Sequence, residues 1–342
     1  MRDDASRASE QLRRLQRWTG GRRTSGKSSS SWFLETDSNP AQQSSQSDPS
    51  PPAADAENEY AEAVAAMNKI VATLDFSALP WVTEVFRRTA GVLADDDPAR
   101  ASVLNNLGTA AQLHHLSTGD TAHLEDALNH YRSAVAAARS SDQDLVLYRC
   151  NLALALSDLA RKTEDPQLAA EAVETARTAV ADTPRADNRS TMALLRLGNA
   201  LQLHAELAAR PELDDEAAEV FREAMQLAPA SGDTAGELVT NLGNALLRRY
   251  RRHEELVDLD GAVRYLRSAV SRTGEATQRC TLAEALLLRF RRTGDLTDLD
   301  AASGELLSAL GQLPPGDQLT GRVVWHASAV AVEHADTTGG AE

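Results

Sequence analysis

The sequence predicts an all-α fold, an α-solenoid of about six antiparallel helix pairs that ends in a capping helix. Three observations predict this class: apolar residues recur at spacings of three and four, one pattern is restated along the chain, and residues that favour strands are scarce. Of the 342 residues, 42% are hydrophobic but only 4% are aromatic, so alanine and leucine supply most of the core. Such a composition suits closely packed helices and is poor for strands.

The chain divides into three segments by composition. Residues 1–56 are dominated by Ser, Gln, Pro, Arg and Asp, and we predict a disordered tail that is basic first and acidic later. Within it, the stretch EQLRRLQRW offers a short amphipathic helix, although a solvated tail is the simpler interpretation. Residues 57–335 are predicted to form the helical repeat domain, and residues 336–342 a disordered C-terminus.

One pattern recurs at five places along the helical segment. The slot that reads NLG, or its equivalent, begins at Asn106, Asn151, Arg196, Asn241 and Thr281, with spacings of 45, 45, 45 and 40 residues. On the predicted second helices an alanine recurs, and another follows seven residues later: Ala127 and Ala134, Ala172 and Ala179, Ala217 and Ala224, Ala262 and Ala269, Ala302 and Ala309. A degenerate first repeat begins near Tyr60. Because one helix pair cannot bury its apolar stripe alone, the stripe must be restated so that stacked pairs share a core.

Each repeat is predicted to contain two helices joined by a polar turn. In the fourth repeat, Leu238 and Leu242 mark the apolar stripe of the first helix, and Leu259 and Leu266 mark that of the second. Acidic residues stand where the second helices begin. We interpret them as N-caps rather than parts of a calcium loop, because the further ligands of such a loop are missing. These residues are Asp258, Asp260, Asp298 and Asp300.

The last helical stretch, GRVVWHASAVAVEHA, departs from the repeat pattern. We predict that it caps the array by covering the fifth repeat, since terminal repeats need a distinct outer face. The alternative is that it exposes Val323, Val324 and Trp325 and forms a homo-oligomer through this C-terminal helix.

The repeats resemble the tetratricopeptide repeat (TPR). That family places Leu-Gly in its first helix and two alanines around a large residue in its second. Here the signatures are Leu107-Gly108, Leu197-Gly198 and Leu242-Gly243 for the first helix, and Ala217, Phe221 and Ala224 for the second. The resemblance covers roughly Tyr60 to Ala335, with pairs longer than the usual length of about 34 residues.

The variant NLGNALLRRYRR followed by DLDGAVRYLRSAV resembles arrays that precede caspase-like CHAT peptidase domains. That peptidase needs an α/β domain with a His–Cys dyad, which we do not find in the sequence. The resemblance therefore implies the scaffold without the protease activity. It also implies an alternative function, a regulatory or sensor arm of a CHAT-type protease or related effector system that is encoded separately.

The TPR resemblance further implies that a protein or peptide partner lies along a concave face lined by first helices. Positions that point away from the second helices are mainly amides and hydroxyls, which can hydrogen-bond a peptide backbone. The alternative is that these residues only solvate the inner face. The ligand-binding candidates are Asn105, Thr109, Gln112, Asn199, Gln202, Thr240, Asn244, Arg248 and Glu284.

A second candidate surface is a basic ridge. It lies at the C-terminal ends of the first helices of the fourth and fifth repeats. Cations there offset the helix dipole, and they face the acidic turns that follow. We interpret the ridge as a ladder of ion pairs between repeats. The alternative is that it grips carboxylates or phosphates of a partner. Its residues are Arg249, Arg251, Arg252, Arg289, Arg291 and Arg292.

No catalytic constellation is recognised in the sequence. Cys150 and Cys280 occupy the same slot of two different repeats, so we interpret them as buried helix cysteines rather than nucleophiles. The eight histidines fit no metal-binding spacing, and neither HExxH nor a Gly-rich phosphate loop occurs. We therefore predict no enzyme activity, no cofactor and no metal.

Charge and hydropathy narrow the class of partner. The net charge of −15 argues against nucleic acid, because phosphate contacts need a basic surface. No apolar run approaches the roughly 18 residues of a membrane span, and no secretory signal is visible, so we expect no membrane association and a cytoplasmic location. The predicted function is a non-enzymatic scaffold for a protein or peptide.

Overall fold

The computed structural model describes residues 51–185, 187, 189–228 and 233–339, and within these ranges it contains helices and no strand. A 3₁₀ helix (Phe76–Ala78) lies between the first two α-helices. The α-helices are α1 (Pro51–Thr73), α2 (Leu79–Val92), α3 (Arg100–Thr118), α4 (Ala122–Ala137), α5 (Leu145–Thr163), α6 (Pro166–Ala181), α7 (Ser190–Leu207), α8 (Glu212–Leu227), α9 (Asp233–His253), α10 (Leu256–Thr273), α11 (Ala276–Thr293), α12 (Leu296–Leu310) and α13 (Leu319–Gly339). The predicted all-α class is confirmed.

The chain folds as two compact units, divided between Arg210 and Pro211. The first unit holds α1 to α7, in which α1 packs on α2, α3 on α4 and α5 on α6. The second holds α8 to α13, in which α9 packs on α10, α11 on α12, and α13 on both α11 and α12. Five of the six predicted helix pairs therefore form within one unit. The members of the remaining pair, α7 and α8, belong to different units.

The recurring alanines form the core of the helix pairs. All ten alanines singled out in the second helices are at most 1% exposed. An alanine adds almost no bulk at a helix crossing, so neighbouring helices approach closely there. The residues that recur from repeat to repeat are thus the residues that pack the helices together, as predicted.

The glycine of the first-helix signature meets the large residue of the second helix. A Cβ added to Gly108 would lie 2.6 Å from the ring of Tyr131, and one added to Gly243 would lie 2.9 Å from Cγ of Leu266. Both distances are shorter than any normal contact, so each hairpin depends on the missing side chain. This contact between the two signatures makes the hairpins TPR-like.

The N-terminal caps of the second helices differ from the prediction. Asp165 caps α6 by accepting hydrogen bonds from the backbone of Gln167 and Leu168, at 2.7 and 3.4 Å. Asp295 caps α12 by accepting from Thr297 N at 3.0 Å. None of the four predicted caps occupies an N-cap position: Asp258 and Asp260 lie inside α10, and Asp298 and Asp300 lie inside α12.

Residues 1–50 and 340–342 of the two predicted tails lie outside the described residues, and helices extend into the remaining parts of both tails. Helix α1 begins at Pro51, within the predicted tail of residues 1–56, and α13 ends at Gly339, within residues 336–342. Proline suits the first turn of a helix because its missing N–H has no intrahelical partner there. Among the described helices, none combines the length and apolar character that a membrane span requires.

Helix α13 covers α11 and α12, as the capping prediction required. One detail of the alternative was wrong: Val323 is fully buried in this contact. Val324 and Trp325 are exposed, with 48% and 66% of their surface accessible.

Candidate interaction surface

Two of the predicted ligand contacts in the first unit are buried. Asn105 is 0% exposed, and its side-chain oxygen accepts a hydrogen bond of 2.9 Å from Nδ2 of Asn151. The hydroxyl of Thr109 donates to the backbone oxygen of Asn105 at 3.2 Å and lies 3.1 Å from that of Tyr131. These side chains hold helices together and cannot reach a ligand.

The hydrogen bond of Asn105 belongs to a repeated contact between successive first helices. Nδ2 of Asn106 donates to the hydroxyl of Tyr60 at 2.8 Å, and the two residues are 46 positions apart. The bond from Asn151 to Asn105 spans the same 46 positions. A helical wheel places Asn105 away from its own second helix, but it does not show that the next first helix fills that side.

The other candidates in the first unit, Gln112, Asn199 and Gln202, are half-buried. The hydroxyl of Tyr131 donates to Oε1 of Gln112 at 2.7 Å, which ties this amide to the adjoining second helix. The amide nitrogen of Gln202 is enclosed and has no hydrogen-bond partner in the described part of the chain. Gln112 lies on α3, whereas Asn199 and Gln202 lie on α7.

The second unit does present an accessible stripe on its first helices. Positions spaced by four, three and four residues fall on one side of a helix. On both α9 and α11 these positions are half-exposed or exposed, and the two sets lie 40 residues apart. We call this surface the first-helix face; it consists of Glu237, Asn241, Asn244 and Arg248 on α9 and Thr277, Thr281, Glu284 and Leu288 on α11.

The equivalent positions of α3 in the first unit are closed. On α3 they are Ser102, Asn106, Thr109 and Leu113, and each is 2% exposed. Most of these side chains are short, so the neighbouring helices can close over them. On α5 and α7 the equivalent positions are mixed. Some are buried and others are half-exposed: Leu147, Asn151, Met192, Arg196 and Leu203 are buried, and Leu154, Asp158 and Asn199 are half-exposed.

The charges of the first-helix face are compensated by neighbouring elements. Nη1 of Arg248 donates to Oδ1 of Asp214 on α8 at 3.3 Å. Burial raises the pKa of Asp214 above its ordinary value, and the charge of Arg248 opposes that rise. Glu284 binds the guanidinium of Arg251 at the end of α9. The face is therefore polar without a strong excess of either sign.

The hydrogen-bonding capacity of the face is only partly used. The hydroxyl of Thr281 donates to Thr277 O at 3.0 Å and accepts a hydrogen bond of 2.8 Å from Nη2 of Arg322 on α13, so it is already engaged. The hydroxyl of Thr240, a predicted contact beside the face, donates to Gly236 O at 3.1 Å and accepts from Gln278 Nε2 at 3.4 Å. The half-exposed side-chain amide of Asn244 makes no hydrogen bond to the described residues.

The arginine ridge forms ion pairs inside the second unit. Arg249 binds Asp258 through two nitrogens, with Nε 2.7 Å from Oδ2, and Nη1 reaches Glu219 of α8 at 2.7 Å. The hydrogen bonds that Arg249 donates to Asp258 are the main cause that raises the pKa of Arg249. One arginine thus joins three helices.

The same arrangement recurs 40 residues later. Arg289 donates to both oxygens of Asp298, at 2.7 and 2.6 Å, and to Asp260 of the preceding second helix at 3.2 Å. This explains why Asp258 and Asp298 are buried inside their helices instead of capping them. Arg251, Arg252 and Arg291 also form ion pairs, whereas Arg292 is exposed. The ion-pair interpretation of the ridge is confirmed for these paired arginines.

The two cysteines are buried, as predicted. Burial raises the pKa of the Cys150 thiol to about 12, against the opposing charges of Arg196 and Arg189. Burial likewise raises the pKa of Cys280. A thiol with a raised pKa is a poor nucleophile at neutral pH. Across the part of the chain that the structure covers, no cluster of three or more His, Cys, Asp or Glu side chains is arranged to hold a metal ion.

No family model and no curated protein matches the chain. Solved structures that are similar to it include TTC0263, a thermophilic TPR protein in Thermus thermophilus, with 23% identity, a TM-score of 0.41 and coverage of 70% of this chain and 100% of that one. They also include residues 1–338 of Acl4, the assembly chaperone of RpL4, with 13% identity, a TM-score of 0.42 and coverage of 82% of this chain and 99% of that one.

Proposed function

We propose that the chain is a non-enzymatic scaffold that binds an extended peptide or protein segment on the first-helix face of its second unit. The observation that carries this proposal is the repetition of accessible polar positions on two successive first helices, 40 residues apart. Side chains that only filled the structure would be enclosed, as their equivalents on α3 are.

The chemistry of the face fits an extended segment. Amides and hydroxyls can both donate to and accept from a peptide backbone, whose groups repeat at about 3.3 Å per residue. Packed helices lie about 8–10 Å apart, so such a segment meets a new first helix about every third residue. Arg248 and Glu284 add one charge of each sign, and Leu288 adds an apolar contact. This combination favours a segment of mixed polarity.

The proposal narrows the set of residues predicted from the sequence. It keeps Asn244, Arg248 and Glu284, and it adds Thr277 and Thr281. It omits Asn105 and Thr109, which are enclosed. The role as an arm of a separately encoded CHAT-type protease stays a prediction.

Peptide selection tests the proposal without a known partner. A random-peptide phage library is selected on the full chain and then on a variant in which Asn244, Thr277 and Thr281 are replaced by alanine. We expect the selected peptides to bind the variant at least about tenfold more weakly, since several hydrogen bonds are lost.

A matched control carries Ser271→Ala and Ser308→Ala, two exposed hydroxyl deletions on the second helices α10 and α12. It should bind the selected peptides as the unaltered chain does. Equal binding by the triple variant, or a library that yields no binder, would contradict the proposal.

A further inference from the structure

Helix α13 has two apolar sides, and only one of them is covered. Val323, His326 and Val330 face the fifth repeat and are at most 4% exposed. The opposite side carries a second stripe with no charged side chain, and all of its members are exposed: Val324, Trp325, Ser328, Ala331 and Val332. An uncharged stripe on a helix of 21 residues is unusual for a surface in contact with water only.

The exposed side of α13 can be compared with the aligned residues of α11, the first helix of the preceding repeat. Aligned with α11, Val323 takes the position of the buried Leu282, and Val324 takes that of Ala283. In α11, Ala283 and Phe290 are buried, and the helix packs on its own second helix, α12. In the described residues α13 has no such second helix. Val324, Ser328 and Ala331 are thus exposed at positions whose equivalents in α11, Ala283, Leu287 and Phe290, are buried, whereas Trp325 and Val332 align with Glu284 and Arg291.

The stripe is self-complementary when read in opposite directions. Val324 and Val332 lie four residues to either side of Ser328, and Trp325 and Ala331 lie three residues to either side. If two such helices pack antiparallel with Ser328 at the dyad, Val324 meets Val332 and Ala331 of the other copy, and Trp325 lies beside Val332 of the other copy. A two-fold interface requires this kind of self-matching pattern.

Charges outside the stripe agree with that direction. Arg322 is exposed near the start of α13, and Asp336 is exposed near its end. An antiparallel pair places the arginine of one copy at the same end as the aspartate of the other, twice in each dimer. A parallel pair would instead place like charges together.

We propose that the exposed stripe of α13 is a homodimer interface, in which a second copy of the chain docks its own α13 antiparallel to the first. This proposal is independent of peptide binding on the first-helix face.

Sedimentation velocity of the full chain over a wide concentration range tests the proposal. We expect a dimer. Trp325→Glu and Val332→Glu each place two charges in the apolar contact, so we expect each to weaken the dimer by about 100-fold or more. Both residues are exposed, at 66% and 59%, so helical circular dichroism should be unchanged.

Val257→Glu is the matched control, because Val257 is 72% exposed on α10 and lies outside the stripe. That variant should remain a dimer. A chain that is monomeric at every concentration would overturn the proposal, as would a dimer that resists both Trp325→Glu and Val332→Glu.

Oxidative cross-linking tests the register. Both natural cysteines are buried, so Ser328→Cys introduces an accessible thiol at the proposed dyad. Each of Ser328 and Ser308 is exposed and donates to the carbonyl four residues before it, at 2.9 and 2.8 Å, which makes Ser308→Cys a close control. We expect a covalent dimer from Ser328→Cys and none from Ser308→Cys. The reverse result, or equal cross-linking of both, would rule out the antiparallel register.

Discussion

At the residue scale, packing within a hairpin depends on a glycine that has no Cβ atom. Gly108 touches the ring of Tyr131, which is fully buried and held by its hydrogen bond to Gln112. We predict that Gly108→Ala destabilises the first unit by about 1–3 kcal/mol, because the new methyl group displaces this ring. This loss exceeds the gain of about 1 kcal/mol that alanine normally gives in a helix. Chemical denaturation followed by circular dichroism measures the difference.

Gly304→Ala provides the control for this substitution. Gly304 lies within α12, and no atom lies within 4 Å of the Cβ that it would acquire. Alanine there should stabilise the chain by up to about 1 kcal/mol. If both glycines gave stabilisation, close approach at Gly108 would not be the reason for the Leu-Gly signature.

His114 makes stability depend on pH. Its Nε2 lies 3.0 Å from the hydroxyl of Thr83, and its ring centroid is 5.2 Å from that of His123. Burial first, and then the charges of His123 and Arg87, lower the pKa of His114 below its ordinary value. The unfolded chain therefore binds this proton at a higher pH than the folded chain does. Stability from this group is present above about pH 6.5 and is lost as the pH falls.

We predict that His114→Gln flattens the decline in unfolding free energy between about pH 7 and pH 5, because glutamine does not titrate. Denaturation at a series of pH values measures the slope. Thr83→Val is the control: it removes the hydrogen-bond partner but no titrating group, so it should lower stability at every pH and leave the slope steep. An unchanged slope in His114→Gln would show that other groups cause the decline.

Sequence reasoning at this scale identified the packing residues and misplaced some of the polar ones. Alanines at fixed intervals can be identified because burial of a small side chain depends on its own helix and partner alone. The assignment of Asn105 to a groove was wrong, because the next first helix buries this side chain. Helical periodicity does not show how near that helix lies. The spacing of 46 residues between two asparagines, Asn105 and Asn151, was the available signal.

At the element scale, one arginine at the end of each first helix joins three helices. Arg289 binds Asp298 with two hydrogen bonds, and the Asp298 side chain is only 2% exposed. We predict that Asp298→Asn destabilises the chain by about 1.5–3 kcal/mol, since hydrogen bonds to charged groups contribute about this much. Thermal or denaturant unfolding measures the loss.

Asp300→Asn removes the same charge from the same helix at a side chain that is 75% exposed. It should change the free energy of unfolding by no more than about 0.5 kcal/mol. Similar losses in both variants would mean that general charge, and not the buried contact with Arg289, supports the helix junction.

Helix positions were predictable from periodicity, but helix starts were less so. Asp258 and Asp298 were assigned as caps because acidic residues near a helix start usually serve that purpose. The helices begin two residues earlier, at Leu256 and Leu296, and Arg249 and Arg289 take the carboxylates instead. A local cap rule does not include a partner nine residues away in sequence.

At the scale of the whole molecule, the repeats are one pattern used in two ways. Helix α3 of the first unit is closed over short side chains, while α9 and α11 of the second unit keep a half-exposed stripe. The repeat itself could be predicted from the sequence, because every copy shares the same core residues. The difference between α3 and α9 follows from aligned positions that hold different residues, such as Ser102 on α3 and Glu237 on α9.

Photo-cross-linking tests the scaffold proposal most directly. A peptide selected on the full chain is made with a diazirine group, irradiated with the chain, and its attachment sites are mapped by mass spectrometry. We predict attachment to α9 and α11 at or beside Asn244, Thr281 and Glu284. Attachment to the second helices α10 and α12, or to the first unit, would contradict the assignment of the first-helix face as the binding site.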